Sequence, residues 1–94
     1  MKMTVINKEV KHDKFNREYI ALTFENQITG KVWNFWLWSW LKDYHTSEVY
    51  STGYALSTGD SVDVLWKRAA YRGSDLQIIT SLTHGDWGNF EWKD

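Results

Sequence analysis

Apolar and polar residues alternate over most of this chain, which is the period of a β-strand with one buried face. In the stretch "YIALTFEN", Ile20, Leu22 and Phe24 point to one side and the residues between them point to the other. The segment "NQITG" follows with the composition of a turn, and a second run of β-forming residues begins at its glycine. We therefore predict a hairpin of two strands, near residues 17–26 and 30–40.

Three further strands and one irregular segment complete the pattern. Upstream, "TVINKEVK" predicts a first strand with Ile6 and Val10 on its apolar face. Residues 41–58 break the alternation and predict a loop, with one short helix near Leu41–Val49. "GDSVDVLWKR" returns to strand character, "AYRGSD" is a turn that depends on its glycine, and "LQIITSL" is the last strand. Five strands with one insertion predict an all-β domain, a small closed or partly open five-stranded β-barrel with a short helix or loop between strands 3 and 4.

The composition limits the classes of protein to consider. With 94 residues, no proline and no linker-like segment, the chain is expected to form one domain. Cysteine is absent, which excludes disulfides and thiolate metal sites and fits a reducing compartment. The first residues lack the apolar core of a secretion signal, and the longest apolar run, at residues 31–40, is about half of a membrane-spanning helix. We therefore expect a cytoplasmic protein with no membrane partner.

Catalytic and metal-binding patterns are missing from the sequence. The three histidines, His12, His45 and His84, have neither mutual ligand spacing nor cysteine partners. No nucleophile elbow, phosphate-binding loop or dinucleotide fingerprint is present. We predict a non-enzymatic protein with no catalytic residue, no metal site and no cofactor.

Two motifs stand in a particular order after the hairpin: "LSTGDSVDV" at residues 56–64 and "YRGSDLQII" at residues 71–79. With the hairpin they span roughly residues 4–82, and the whole resembles the OB-fold nucleic-acid-binding domain of the anticodon-binding type. Such domains occur in some tRNA synthetases, exonucleases and single-stranded-DNA-binding proteins. The chain departs from the family pattern at Trp66, where glycine is frequent, and in the third strand, where residues are often small or aliphatic.

The resemblance implies an OB-fold-like barrel over residues 1–83. It also implies a ligand that crosses the second and third strands and is held by the loops between strands 1 and 2 and between strands 4 and 5. The cations to which the OB-fold resemblance assigns phosphate contacts are Lys11, Lys14, Arg17, Lys31, Lys67, Arg68 and Arg72. Phe15 and Tyr71, one in each loop, would close over bases, and Trp66 is a further candidate for stacking. The net charge of −1 gives no general attraction to nucleic acid, so these cations would act locally.

The third strand, "KVWNFWLWSW", carries four of the seven tryptophans, more than so small a domain can bury. Two registers are open. The family pattern turns Trp33 and Phe35 toward the ligand beside Tyr19, but it buries the amide of Asn34, which is costly without partners. In the other register a bulge shifts the phase and exposes three later indoles: Trp36, Trp38 and Trp40.

Our leading hypothesis is a protein that binds single-stranded nucleic acid, DNA rather than RNA, by aromatic stacking and basic loops. Its small size fits an origin in a virus or mobile element. The alternative is a protein-interaction module, a homodimer or an inhibitor of a partner, that buries the same exposed rings. Oligosaccharide binding is a third class that the fold supports. Residues 84–94, "HGDWGNFEWKD", are expected to be an aromatic and acidic tail that packs on the barrel, remains partly mobile, or recruits a protein partner.

Overall fold

The computed structural model describes residues 1–41 and 46–84. The elements in chain order are β1 (Lys2–His12), β2 (Glu18–Asn26), β3 (Val32–Trp38), α1 (Ser47–Ala55), β4 (Ser61–Tyr71) and β5 (Ser74–His84). The protein is therefore mostly β, with five strands and a helix between the third and fourth, as the alternation predicted. The expected tail lies outside the described residues except for His84, which ends β5.

All five strands form one antiparallel sheet in the order β3-β2-β1-β4-β5. The edge strands β3 and β5 approach each other, and α1 packs against β5, β2 and β3. No ladder joins the two edges within the described residues, so of the two predicted forms, a closed or a partly open barrel, the closed one is not formed. Instead, the rings of Trp33 on β3 and Trp66 on β4 meet in the interior, with 5.1 Å between centroids. This ring contact links β3 to β4, the strand next to the other edge strand, β5.

The core lies on one face of this sheet and is covered at one end by α1. Its fully buried members come from every strand and from the chain after the helix: Met3, Val5, Ile20, Leu22, Phe24, Phe35, Leu37, Leu56, Val62, Val64, Ile78 and Ile79. Burying each such side chain contributes roughly 1.5–3 kcal/mol. Gly53 allows α1 to lie directly on the sheet, because a Cβ at this position would overlap Leu37 Cδ1.

The helix begins later than the sequence predicted. Thr46 is its N-cap and accepts a hydrogen bond from the Val49 N–H at 3.2 Å, so the first helical residue is Ser47. The nine-residue α1 replaces the helix predicted near Leu41–Val49. Within the described ranges, 1–41 and 46–84, no helix has the length and apolarity that a membrane span needs.

The prediction that Ile6 lies on the apolar face of β1 is wrong. Met3 and Val5 are buried, whereas Ile6 is 41% exposed and Val10 is 40% exposed. The pairing of β1 with β2 shifts between Val5 and Asn7, so Ile6 is a bulged residue without a partner in the ladder. The bulge reverses which residues face inward. Val10 therefore lies on the inward-facing row, opposite Ile20, but its place near the end of β1 leaves it partly exposed.

Candidate nucleic-acid interface

The phase of β3 decides which of the clustered rings face outward. Its pairing with β2 is continuous from Glu25–Val32 to Tyr19–Trp38, without a bulge. Phe35 is fully buried and its ring lies 5.8 Å from that of Phe24, so the prediction of Phe35 as an exposed stacking ring is wrong. Trp36 lies on the other face and is 44% exposed. The register that brings out the later indoles is the observed one, although no bulge is needed to produce it.

Asn34 explains why this register is favoured. It is exposed on the outer face and sits opposite Thr23, whose hydroxyl donates a hydrogen bond to Asn34 Oδ1 at 3.0 Å. The inverse phase would bury this amide among apolar side chains and lose solvent or hydroxyl partners. One polar residue therefore fixes the orientation of a strand that is aromatic on both faces.

Trp33 and Trp66, both predicted to stack on a ligand, pack mainly against the protein. Each is half-buried against the core, and Trp33 also stacks on Phe35 with 6.4 Å between centroids. The ammonium of Lys31 lies 4.3 Å from the centre of the Trp33 ring. These rings therefore continue the core toward the end of the sheet opposite the later indoles, and they are poorly placed to receive a base.

The outer face of β2 and β3, together with the turn after β3, carries a group of rings that we call the aromatic surface: Tyr19, Trp36, Trp38 and Trp40. With Asp13 they line a concavity of about 310 Å³. Tyr19 pairs directly with Trp38, and the small Ala21 pairs with Trp36, which leaves the Trp36 ring uncovered on that side. On the neighbouring strand, Lys11 continues the row of Tyr19 and is exposed.

The loop between β1 and β2 places a cation at the edge of this surface. The guanidinium carbon of Arg17 lies 4.0 Å from the centre of the Trp40 ring and 5.1 Å from that of Phe15. Phe15 is 67% exposed, and the ammonium of Lys14 lies 5.3 Å from its ring. Stacked cations of this kind extend the flat area offered to a base and add positive charge beside it.

A second concavity, of about 360 Å³, adjoins the first and shares Trp38 and Trp40 as walls. Its other lining residues are Arg17, Leu41, Arg72, Ser74 and Leu76. Arg72 stands at the tip of the β4–β5 hairpin, so two guanidinium groups from two distant loops flank one cavity. The predicted convergence of the loops on one side of the molecule is therefore seen for Arg17 and Arg72.

The remaining predicted cations are not brought to this place. Lys67 and Arg68 are exposed on β4, and Lys31 lies at the far end of β3 beside Trp33. No contact among the described residues joins these three to the aromatic surface. The side chain of Tyr71 and the whole of His45 lie outside the described residues.

Two residues of the site were missed at the sequence level. Trp40 appeared only within the second register, and Asp13 was not singled out. Asp13 begins the segment "DKFNR", in which an acid stands four residues before an arginine in a polar loop. That pattern favours a turn stabilised by the aspartate side chain and by an ion pair with the arginine. It is the sequence feature from which the role of Asp13 could have been predicted.

The Asp13 carboxylate is held ionised by its surroundings. Partial burial alone would raise its pKa, but hydrogen bonds from the Arg17 backbone and guanidinium and from the Phe15 N–H bring the pKa below its usual range. In the described part of the chain, no group of three or more histidine or acidic residues is arranged to hold a metal ion. The chemistry of the site is therefore that of flat rings, guanidinium groups and one fixed carboxylate.

Comparison of the chain with protein-family models, with curated proteins and with solved structures gave no match. The interpretation of the site therefore depends on its own geometry.

Proposed function

We propose that this protein is a non-enzymatic, single-stranded nucleic-acid-binding protein of OB-fold type, with DNA as the first ligand to test. The observation that carries the proposal is the meeting of Arg17 and Arg72 with the aromatic surface on β2 and β3. Flat rings beside guanidinium groups fit bases and phosphates of one strand at the same time. A duplex hides its base faces in its own stack, so the rings would have little to bind there.

The topology supports the OB-fold part of this proposal. The strand order β3-β2-β1-β4-β5, the helix between β3 and β4, and the approach of β3 to β5 are the arrangement expected of such a fold opened along one seam. In that arrangement the face of strands 2 and 3 and the loops β1–β2 and β4–β5 form the ligand site. The aromatic surface and the two arginines occupy those positions in this chain.

Stacking would supply most of the affinity. Each base on an indole contributes roughly 1–3 kcal/mol, so three well-stacked bases supply up to about 9 kcal/mol, and micromolar binding, which needs about 8 kcal/mol, then requires only a small ionic contribution. The net charge of −1 agrees with this balance. If two to four phosphates are neutralised, log K should fall with log salt with a slope of about −1.5 to −3, which is shallow for a nucleic-acid-binding protein.

The test is a titration of tryptophan fluorescence with unstructured single-stranded DNA, single-stranded RNA and duplex in parallel, at two salt concentrations. We expect quenching by the single strands, weaker quenching by the duplex, and the shallow salt slope given above. Absence of quenching by micromolar single strands at low salt would refute the proposal, provided that fluorescence anisotropy of a labelled oligonucleotide also shows no binding.

The exposure of Trp36 favours a second candidate, a protein interface that buries the same surface. An indole that is 44% exposed beside three other rings is typical of interface anchors. A sizing column distinguishes the two functions: a stable dimer that does not dissociate when oligonucleotide is added would favour the protein interface.

A further inference from the structure

We propose that Asp13 is a positioning residue of the nucleic-acid site: its carboxylate holds the Arg17 guanidinium over the Trp40 ring, between the two concavities. This inference rests on the function proposed above. It concerns an acid at the edge of a site for a polyanion, where the simplest electrostatic expectation is that a negative charge only weakens binding.

Both carboxylate oxygens of Asp13 are used within the loop. Oδ1 accepts hydrogen bonds from the backbone N–H groups of Phe15 and Arg17, each at 2.9 Å. Oδ2 accepts from Arg17 Nε at 2.9 Å and lies 2.8 Å from Arg17 Nη2. The backbone closes the same loop, because the Asp13 N–H donates to the Arg17 carbonyl at 3.0 Å and the Asn16 N–H donates to the Asp13 carbonyl at 2.9 Å.

These contacts fix the arginine rather than neutralise it completely. A guanidinium has five N–H donors, and Asp13 engages the groups on one edge of the plane. The guanidinium carbon lies 4.0 Å from the centre of the Trp40 ring, and the side chain lines the second concavity together with Arg72. Among residues 1–41 and 46–84 no hydrogen bond is seen to the donors on the other edge, which could therefore bind a phosphate. An arginine that is already ordered loses less conformational entropy on binding, which strengthens the complex.

Two effects of opposite sign therefore follow from removing this carboxylate. Loss of a negative charge next to a polyanion tightens binding, whereas loss of the anchor for Arg17 weakens it. If Asp13 is a positioning residue, the second effect exceeds the first. We expect Asp13→Asn to weaken binding of single-stranded DNA by about threefold to tenfold, which corresponds to the ordering cost of one long side chain.

Glu9 provides the matched control. It shares the outer face of the sheet, in the row of Ala21 and Trp36, and its carboxylate lies 3.8 Å from the Lys11 ammonium. Glu9→Gln removes the same charge near the same surface without touching Arg17, so it should tighten binding by up to about twofold at low salt. If Asp13→Asn also tightens binding, Asp13 acts only as a charge and the inference is wrong.

A double-mutant cycle separates positioning from a general effect on the fold. In an Arg17→Ala background, Asp13→Asn should no longer weaken binding, because the residue through which it acts is gone. Weakening that persists in this background would contradict the inference and indicate loss of the loop itself. Thermal unfolding of each variant shows whether the fold is intact at the temperature of the titration.

The free protein offers a readout that does not need the ligand. The Arg17 Nε–H should give a slowly exchanging NMR signal in the wild type and in Glu9→Gln, and a fast-exchanging one in Asp13→Asn. If this pattern appears but the wild type does not bind oligonucleotide, the proposed function fails while the positioning of Arg17 stands. If the Nε–H exchanges rapidly in the wild type, the positioning inference fails whatever the binding result.

Discussion

Arg72 has a backbone conformation that arginine seldom adopts. Its φ is 49°, and Gly73 follows at 81°, so both central residues of the turn between Tyr71 and Ser74 are left-handed. Two such residues make the tight hairpin turn that Asn-Gly forms most readily. An arginine at the first of these positions costs roughly 1 kcal/mol of strain. The strained residue is also one whose side chain lines the second concavity, where we propose that its guanidinium binds a phosphate.

Replacing this residue should separate stability from binding. Arg72→Asn relieves the strain, so the free energy of unfolding in urea should rise by about 0.5–1 kcal/mol. If Arg72 contacts a phosphate as proposed, the same variant loses that contact, so its affinity for single-stranded DNA should fall about threefold to tenfold and its salt slope should become shallower by about 0.7. Arg72→Lys is the control, because it keeps both the charge and the strained position. A loss of stability in Arg72→Asn would contradict this account of the turn.

At the scale of elements, β3 is a strand with two separate tasks. Phe35 and Leu37 are buried on one face, while Trp36 and Trp38 belong to the aromatic surface on the other. A one-residue shift would exchange these faces, and the outward Asn34 with its Thr23 partner opposes that shift. Neighbouring residues of β3 should therefore respond to substitution in opposite ways.

Phe35→Ala and Trp36→Ala test this division. Phe35→Ala leaves a cavity in the core and should cost about 3–5 kcal/mol of unfolding free energy. Trp36→Ala removes a half-exposed ring, so it should cost about 1 kcal/mol of stability but weaken single-strand binding by roughly tenfold or more, the value of one stacked base. Val32→Ala, also on the outer face but at the other end of β3, should change neither quantity much. Equal losses of affinity in Val32→Ala and Trp36→Ala would show that the aromatic surface is not the site.

At the scale of the whole molecule, the sequence was informative where one face of a strand was clearly apolar. The alternation of Ile20, Leu22 and Phe24 predicted β2 and its buried face correctly, because no other phase buries those residues. It failed in β1, because the bulge at Ile6 depends on how β1 pairs with β2 and leaves no local signature. In β3 both faces are aromatic, so the period alone left two registers open.

The site could be located only once the order of the strands in the sheet was known. Arg17 and Arg72 are far apart in sequence, and only the placement of β1 between β2 and β4 brings their loops to one side. Local patterns could identify two basic loops, but they could not distinguish Arg72 from Lys67 and Arg68, which the β4–β5 hairpin holds away from the aromatic surface. The alternation allowed a closed or a partly open barrel, and only the pairing of the strands shows that β3 and β5 are not joined by a ladder within the described residues.

Asp60 joins three parts of the molecule at the end opposite the β4–β5 turn: β1, the segment after α1, and the end of β5. Its carbonyl accepts from the Val5 N–H of β1 at 2.9 Å, and its carboxylate accepts from the Ser57 N–H at 2.8 Å. The same carboxylate lies 3.0 Å from His84 Nε2 at the end of β5. The hydrogen bond from Ser57 and the neighbouring His84 hold the pKa of the Asp60 carboxyl below its usual range. The contacts of Asp60 with β1, Ser57 and β5 should therefore depend on pH.

The sign of that coupling gives a prediction for the whole molecule. Because folding lowers this pKa, the ionised carboxylate stabilises the fold above the unfolded-state pKa of about 3.9, and the contribution disappears as pH falls through the folded-state pKa. Asp60→Asn should therefore lower the free energy of unfolding in urea by about 1–2 kcal/mol at neutral pH and by less at about pH 2, because the wild-type carboxyl loses its charge as pH falls through its lowered folded-state pKa. Glu25→Gln, which removes an exposed acid of β2, should change stability little at either pH. An equal loss in Asp60→Asn at both pH values would show that the side chain acts by packing and that its ionisation does not hold the strand ends together.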